Sequence, residues 1–265
     1  MQLRRLALVA GAFFAILGQA SAGADAPSLF RPLILDGHQL KWGQPKLGSG
    51  ARVSYAIVTG ERHFPGARNC AGIKPVDTIL TSNRIAASTF REELAQAFAA
   101  WQTEAGITFE QSDPESADIL IGAQIMPRGR AFTNVSYNEE ATTPGVRSLT
   151  KALICLNPSE RWKIGFDGNL DVYDLRYTLM HEIGHAIGLN HPEVQRVLMH
   201  FSYHEKFRSL QEGDMQGAIA VYGPAAPAPM LASRPTNPLR AYHVTNWGEV
   251  AFDTRLPTEP EAPTE

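Results

Sequence analysis

The residues with the clearest chemical potential lie in the segment HEIGHAIGLNH, from His181 to His191. Side chains four residues apart share one face of a helix, so His181 and His185 can direct their imidazole rings to one point. Gly188 can adopt the left-handed conformation that ends a helix, which turns the chain and brings His191 to the same point. Catalytic zinc is typically held by three protein ligands and keeps a fourth position open for water. We therefore predict that His181, His185 and His191 bind one catalytic zinc ion.

Glu182 follows the first of these histidines and is a candidate general base. Its carboxylate would take a proton from a zinc-activated water as that water attacks a substrate carbonyl, and would later pass the proton to the leaving group. A single histidine is more often an ordinary surface or helix-end residue than a metal ligand. The complete spacing HExxHxxGxxH arises by chance far less often than a bare HExxH, so it argues for a hydrolytic zinc site.

Helices and strands that would position this motif can be predicted from the apolar spacing. A helix is predicted from Ser88, as N-cap, to about Gly106. The motif helix should start at Asp171 as N-cap, with Asp174 in its first turn. A final helix should run from Ser209 to Tyr222, with Glu212 completing a capping box. Strands are predicted at residues 53–58, 107–111, 117–125, 130–137 and 152–157, with a loop between the last two.

Asp167, Asn169 and Asp171 form an oxygen-rich turn before the motif helix. Such a turn can hold calcium, but three oxygen-bearing side chains in one turn are common without a metal. We therefore regard calcium as an alternative and predict one zinc ion as the cofactor.

The motif resembles that of the metzincin metallopeptidases, whose zinc ligands and general base correspond to His181, His185, His191 and Glu182. Met199 lies where metzincins have the methionine of the Met-turn, beneath the zinc-bound histidines. Residues 209–223, SLQEGDMQGAIAVYG, resemble the final helix of the matrixin branch. We identify the chain as matrixin-like, of the compact type expected of bacterial members, with the resemblance covering about residues 42–223.

The resemblance implies an α+β fold and a proteolytic activity. The expected fold is a twisted, mostly parallel five-stranded sheet with one antiparallel edge strand, two long helices, a zinc cleft and a small C-terminal subdomain with a final helix. An extended substrate would add a strand at the edge, at residues 130–137, and Phe201, Ser202 and Tyr203 would line the pocket for the residue after the scissile bond. The implied function is a metalloendopeptidase. The alternative is a catalytically silent secreted zinc-binding module that docks a protein partner, which needs the histidines but not Glu182.

Two departures from the family pattern limit what the resemblance implies. Animal matrixins bind a second, structural zinc through histidines, but no histidine occurs between Ala123 and Met180, so one zinc ion is expected. Phe201 stands where other metzincin branches have a tyrosine that reaches the zinc, so a fifth, tyrosine ligand is not expected.

Cys70 and Cys155 are the only cysteines, and we predict a disulfide between them. An even number of cysteines in an exported chain favours pairing, and the cross-link would limit the freedom of the unfolded state. Two buried thiols are the alternative.

The ends of the chain differ in composition from the middle. Residues 1–22 indicate a signal peptide, with Arg4 and Arg5 before an apolar run and small residues at 20–22. Residues 23–41 are expected to be a short leader or propeptide, in which Asp36 is a candidate ligand for the open zinc position, although Asp-Gly is first a turn pair. Residues 42–223 form the predicted catalytic domain. Residues 224–265 form a Pro-rich linker and tail, in which 241–252 can make a strand or hairpin.

Composition and charge narrow the possible partners. The net charge is −3, and the sequence has no Lys/Arg block or basic stripe with interleaved aromatic residues, so nucleic-acid binding is not expected. No segment after the signal peptide is long and apolar enough to cross a bilayer. We expect a secreted or periplasmic monomer whose partners are protein or peptide substrates.

Overall fold

The computed structural model describes residues 28–140 and 144–226. Predictions for the signal peptide, the first residues of the leader and the hairpin at 241–252 concern residues outside this part of the chain. The helices are α1 (Asp77–Asn83), α2 (Ala87–Glu104), α3 (Leu175–Ala186) and α4 (Glu212–Tyr222). The strands are β1 (Arg31–Pro32), β2 (Ile34–Leu35), β3 (His38–Lys41), β4 (Ala51–Ile57), β5 (Arg62–His63), β6 (Gly72–Lys74), β7 (Ile107–Gln111), β8 (Ile119–Gln124), β9 (Ala131–Tyr137), β10 (Val146–Leu156), β11 (Trp162–Lys163), β12 (Tyr173–Asp174) and β13 (Leu189–Asn190).

Five strands form the central sheet in the order β7, β4, β8, β10, β9. The first four are parallel to their neighbours, and β9 runs antiparallel to β10. The predicted α+β fold with one antiparallel edge strand is therefore confirmed. Shorter strands extend the sheet, because β3 pairs in parallel with the start of β10 and β6 pairs antiparallel with the end of β8.

The two long helices cover one face of the sheet. Helix α2 buries Leu94, Phe98 and Trp101, at the spacing expected for one apolar helix face. The indole nitrogen of Trp101 donates a hydrogen bond to the carbonyl of Met180, 2.8 Å away in α3. This contact joins the two helices beside the motif, so the apolar core also fixes the position of α3. In the described residues, no helix is long and apolar enough to span a membrane.

A disulfide between Cys70 and Cys155 lies on the other face of the sheet. It joins β10 to the loop before β6 across a sequence separation of 85 residues. Both cysteines belong to a small apolar cluster that also contains Leu120 and Leu153. The predicted pairing is thus present, and it attaches the loop of the β5–β6 hairpin to the sheet.

Residues 28–41 pack on the domain instead of standing apart from it. Strand β1 pairs with β13, which directly follows the motif helix, and β3 joins the sheet. Leu40 and Lys41 have no exposed surface. The Lys41 ammonium donates hydrogen bonds to the carbonyls of Trp42 and Gln44, each at 2.7 Å. The boundary between leader and domain at residue 42 therefore falls inside a continuously packed segment.

Helices α2 and α3 begin at other residues than the sequence predicted. Ala86 is the N-cap of α2, so Ser88 lies in the first turn and does not cap the helix. The N-cap of α3 is Asp174, whose carboxylate accepts a hydrogen bond from the Tyr177 amide at 2.8 Å. Asp171 instead lies in the preceding turn, where its amide donates to the Asn169 side chain. Both aspartates fit the capping rule, and tertiary contacts select Asp174.

Two further boundaries also differ from prediction. The capping box of α4 is formed by Gln211 and Asp214, not by Ser209 and Glu212. Strand β10 begins at Val146, inside the segment predicted to be a loop, because β3 supplies a partner for its first residues. Local sequence rules could not include that partner, since β3 lies more than a hundred residues earlier.

Candidate metal centre

Helix α3 and the turn after it bring His181, His185 and His191 together. The Nε2 atoms of His181 and His191 are 3.0 Å apart, those of His185 and His181 are 3.1 Å apart, and those of His185 and His191 are 3.0 Å apart. His181 is fully buried and His185 nearly so. The three nitrogens therefore face one point at the edge of the cleft.

The remaining ring nitrogens of two of these histidines are held by backbone carbonyls. His181 Nδ1 is 2.7 Å from the Leu198 oxygen, and His185 Nδ1 is 2.8 Å from the Leu189 oxygen. Each Nδ1 must carry the proton to donate these bonds, which leaves each Nε2 with a lone pair. Lone pairs that converge at 3 Å repel one another unless a cation lies between them. The donor set therefore fits zinc, whose usual histidine ligands are held by such carbonyl contacts.

Burial keeps the three imidazoles neutral. Loss of solvation lowers the pKa of His185 to about 4 and that of His191 to about 2, and it lowers the pKa of His181 well below its ordinary value. At neutral pH the lone pairs are consequently available to a metal ion.

Gly188 makes the turn that carries the chain from α3 to His191. Its φ is +98°, and a Cβ at this position would lie 2.1 Å from the backbone oxygen of Leu40. The Gly188 carbonyl also accepts a hydrogen bond from the Leu33 amide at 2.8 Å. Glycine is thus required both by the backbone conformation and by the close approach of the N-terminal segment.

Met199 lies beneath the histidines. A Cβ built on Gly184 would be 2.2 Å from the Met199 sulfur, so the thioether packs directly on the backbone of α3 between the first two histidines. Met199 is 2% exposed. Met199, the residue predicted for the Met-turn, thus packs against the motif helix, and the glycine of the motif makes room for it.

Asp214 connects α4 to the centre, a role that the motif itself does not reveal. Its carboxylate accepts hydrogen bonds from the amides of Leu198 and Met199 at 2.8 and 2.9 Å. The Leu198 carbonyl is in turn the acceptor for His181. Asp214 matches the final helix of the matrixins in sequence, but neither that match nor its place at the start of α4 indicates the long-range contacts.

The candidate base Glu182 is fully buried, and the Thr133 hydroxyl donates a hydrogen bond to its Oε2. Thr133 lies in the edge strand β9, 49 residues earlier in the chain. Sequence reasoning missed Thr133, because nothing in the composition of β9 marks this residue. The contact places the carboxylate against the strand on which a substrate is expected to lie.

The three residues predicted to line a substrate pocket have different environments. Phe201 is 42% exposed, whereas Tyr203 is 8% exposed. The Tyr203 hydroxyl donates to Glu205 at 2.7 Å and accepts from the Asp174 amide at 3.0 Å. Its ring packs edge-on against Tyr177, with the ring centres 5.2 Å apart. Tyr203 therefore belongs to the packed aromatic interior behind α3, and Phe201 faces solvent.

The oxygen-rich turn considered for calcium is engaged by a lysine. The Lys163 ammonium donates to the Asp167 carboxylate, to the Asn169 carbonyl at 2.9 Å and to Glu205 Oε1 at 2.6 Å. The Asn169 amide also donates to Asp167, at 2.9 Å. The Lys163 ammonium thus already contacts two of the oxygen-bearing residues of this turn, Asp167 and Asn169.

Asp36, the candidate for blocking the zinc position, forms part of a turn between β2 and β3 with φ of +48°. Its Oδ2 accepts a hydrogen bond from the Tyr137 hydroxyl at 2.5 Å. Tyr137 is the last residue of β9, whereas Thr133, nearer its start, contacts the base. The carboxylate therefore has a partner at the opposite end of the edge strand from the residue that touches Glu182.

A cleft of about 830 Å³ runs along β9. It is bordered by the N-terminal segment at Leu33 and Leu35, by the hairpin loop at residues 63–69, and by His185. Phe201, Ser202 and Tyr203 do not line this cleft. An extended chain lying against β9 would therefore occupy the cleft and pass the metal centre.

Comparisons with known proteins agree with this arrangement. A family model described as Matrixin matches residues 78–223, just over half of the 265-residue chain. Matrix metalloproteinase-19 of Homo sapiens is 30% identical over 186 residues, which covers 67% of this chain and 31% of that protein. Interstitial collagenase B of Mus musculus is 27% identical over 171 residues, covering 61% and 36%. Stromelysin-3 of Rattus norvegicus is 26% identical over 191 residues, covering 66% and 34%.

The chain spans about a third of the length of these curated relatives. The span matched by the family model begins in α1 and ends just after α4, so it contains the histidines, Glu182, Met199 and Asp214. On the strength of that match, the chain belongs to the matrixin family.

Proposed function

We propose that the protein is a zinc-dependent endopeptidase that hydrolyses peptide bonds in proteins. The observation that carries this proposal is the convergence of the Nε2 atoms of His181, His185 and His191 on one point, next to Glu182 in the same helix. Membership of the matrixin family supports it. A zinc ion held by these histidines would supply Lewis-acid chemistry, polarising a peptide carbonyl and making a water molecule more acidic.

Glu182 is the proposed general base. Its carboxylate accepts the proton of the attacking water and passes that proton to the nitrogen that leaves when the peptide bond breaks. Thr133 donates a hydrogen bond to Oε2 and so orients the carboxylate towards the edge strand. Because Glu182 is not one of the converging ligands, its loss should remove proton transfer without removing the metal.

Substrate recognition is proposed to start from the backbone. Strand β9 pairs with β10 on one side, and the described residues supply no strand partner on its other side. An extended peptide can pair there and pass the histidines. Phe201 and Ser202 are proposed to border the pocket for the side chain after the scissile bond, with Tyr203 as its inner wall.

The protein is proposed to act outside the cytoplasm as a monomer with one zinc ion. The disulfide between Cys70 and Cys155 supports an oxidising compartment, as does the signal-like sequence of residues 1–22. Residues 42–223 are proposed as the catalytic domain, with residues 28–41 packed on it and the Pro-rich segment 224–265 as linker and tail.

The test is digestion of a proteome-derived peptide library with the purified protein. We expect cleavage within peptides, loss of cleavage when a chelator removes the metal, and recovery after zinc is added back. The same library reports which side chains flank the cleaved bonds. A protein that binds zinc but cleaves no peptide would contradict the proposal and would favour a zinc-binding module that docks a partner.

A further inference from the structure

The cleft along β9 has one wall that is fixed to the sheet by a disulfide. This wall consists of residues 63–70, which we call the disulfide loop. Cys70 is bonded to Cys155 of β10, and the Asn69 amide donates to the Asn134 side chain of β9 at 3.3 Å. The loop is therefore attached both to the edge strand and to its neighbour, so its side chains have defined positions beside any peptide in the cleft.

The side chains of β9 alternate between two surroundings. Thr133 points to the metal side, where it contacts Glu182. Asn134 points to the disulfide loop, and its partner in the register of β10 is Leu153, which packs with the cysteines. A peptide paired with β9 must alternate in the same way, because successive side chains of a strand point to opposite faces. Every second substrate side chain on this side of the cleft would therefore face the loop.

Besides His185 of the metal centre, four charged or titratable residues line the cleft, and three of these four have a partner. Asp36 accepts from Tyr137, and His63 is 2.9 Å from the carboxylate of a neighbouring glutamate. The Lys151 ammonium donates to a backbone carbonyl at 2.5 Å. Arg68 has no hydrogen bond or ion pair with any residue in the part of the chain that the structure describes. The disulfide loop thus presents one uncompensated guanidinium to the cleft.

The position of Glu182 indicates where the scissile bond would lie, and the usual pairing of strands indicates the direction of the substrate. Antiparallel strand pairs are the more common kind, and β9 runs from the metal side at Thr133 towards Tyr137. A peptide antiparallel to β9 would place the residues before the scissile bond beside residues 134–136, which line the same cleft as Arg68. The residue next to Arg68, Asn69, contacts Asn134 in this part of the strand. A guanidinium recognises a carboxylate through paired hydrogen bonds and charge.

We propose that Arg68 determines specificity by binding an acidic side chain of the substrate, within about four residues before the scissile bond. This inference rests on the proposed endopeptidase function. The apolar residues on the opposite wall, Leu33 and Leu35, would accept the alternate side chains. Substrates should therefore combine an acidic residue facing the loop with an apolar neighbour.

The experiment compares matched peptides. A peptide that the wild type cleaves in the library is remade with Glu or Gln at each of the four positions before the cleaved bond, and kcat/KM is measured. We expect one loop-facing position at which Glu is preferred over Gln by about 10- to 150-fold, the range of one charge-assisted hydrogen bond. The preference should fall to about one in Arg68→Ala, and in Arg68→Glu it should reverse so that Gln is preferred over Glu.

Arg91 supplies the control, because it is exposed on α2 and does not line this cleft. Arg91→Ala should keep the wild-type ratio. Binding of the same peptides to the inactive Glu182→Ala variant, followed by fluorescence anisotropy, should show the same Glu preference without turnover. A ratio of one at all four positions, or a preference that survives Arg68→Ala, would overturn the inference while leaving the endopeptidase intact. Failure to cleave any peptide would instead count against the proposed function.

Discussion

Replacement of Asp214 by alanine tests whether α4 holds the metal centre in place. The substitution leaves the amides of Leu198 and Met199 without their acceptor in the core. Each buried donor left unpaired costs about 1–3 kcal/mol, so the two together cost about 2–6 kcal/mol. Burial raises the pKa of Asp214 to about 6, and removing this buried carboxylate returns up to about 3 kcal/mol at neutral pH. The midpoints of these two ranges, about 4 kcal/mol lost and about 1.5 kcal/mol regained, leave an expected net loss of about 2–3 kcal/mol.

The same substitution should weaken zinc binding, because the Leu198 carbonyl that orients His181 is no longer fixed. Loss of an orienting partner around a metal ligand typically costs about 10- to 100-fold in affinity. Urea unfolding of the metal-free protein would give the stability, and competition with a chelator would give the affinity. Glu212→Ala, on the exposed face of the same helix, is the control and should change stability by less than about 0.5 kcal/mol. Equal stability and equal zinc affinity in Asp214→Ala and Glu212→Ala would refute the reasoning.

Three further predictions concern the framework. Gly188→Ala should unfold the turn or displace His191, because its Cβ would lie 2.1 Å from a backbone oxygen of β3. Gly37→Ala is the control: its φ is also positive but the space around it is open, so it should lower the free energy of unfolding in urea by only about 1–2 kcal/mol. Alkylation of the unreduced protein should modify neither Cys70 nor Cys155, and replacing both by alanine should lower stability by about 2–4 kcal/mol; two alkylated thiols would disprove the disulfide. Burial lowers the pKa of Lys41 to about 8, so between pH 8 and 10 the unfolded chain binds more protons than the folded chain. The free energy of unfolding of the wild type, relative to that of Lys41→Met, should therefore rise with pH over this range. A difference that does not change with pH would contradict this.

The sequence was most informative where a rule depends on neighbouring residues. The helical spacing of α2, the alternating strands and the turn at Gly188 are local, so the elements around the motif could be predicted from the residues themselves. The fold class was implied by the resemblance to the matrixins. The capping rule alone does not separate Asp171 from Asp174 as the N-cap of α3, because both aspartates satisfy it. The structure selects Asp174 because Arg208 pairs with its carboxylate and its amide donates a hydrogen bond to the Tyr203 hydroxyl. Those partners come from a later part of the chain.

Residues that act over long sequence separations were the ones missed. The contact of Thr133 with Glu182 spans 49 residues, and that of Asp214 with Met199 spans 15. A threonine in an edge strand and an aspartate at a helix start each have common structural explanations, so residue type alone does not indicate a role. The packing of residues 28–41 was missed for a similar reason, since its partners in β10 and β13 lie far along the chain.

The most direct measurement of the central claim is the zinc content and cleavage rate of Glu182→Ala beside those of His185→Ala. Glu182 transfers a proton and is not a ligand, so Glu182→Ala should keep about one zinc per chain and lose at least about 10²-fold in cleavage of a denatured protein substrate. His185→Ala should lose both the metal and the activity, because one of the three converging nitrogens is gone. Near-normal cleavage by Glu182→Ala, with zinc bound, would contradict the account.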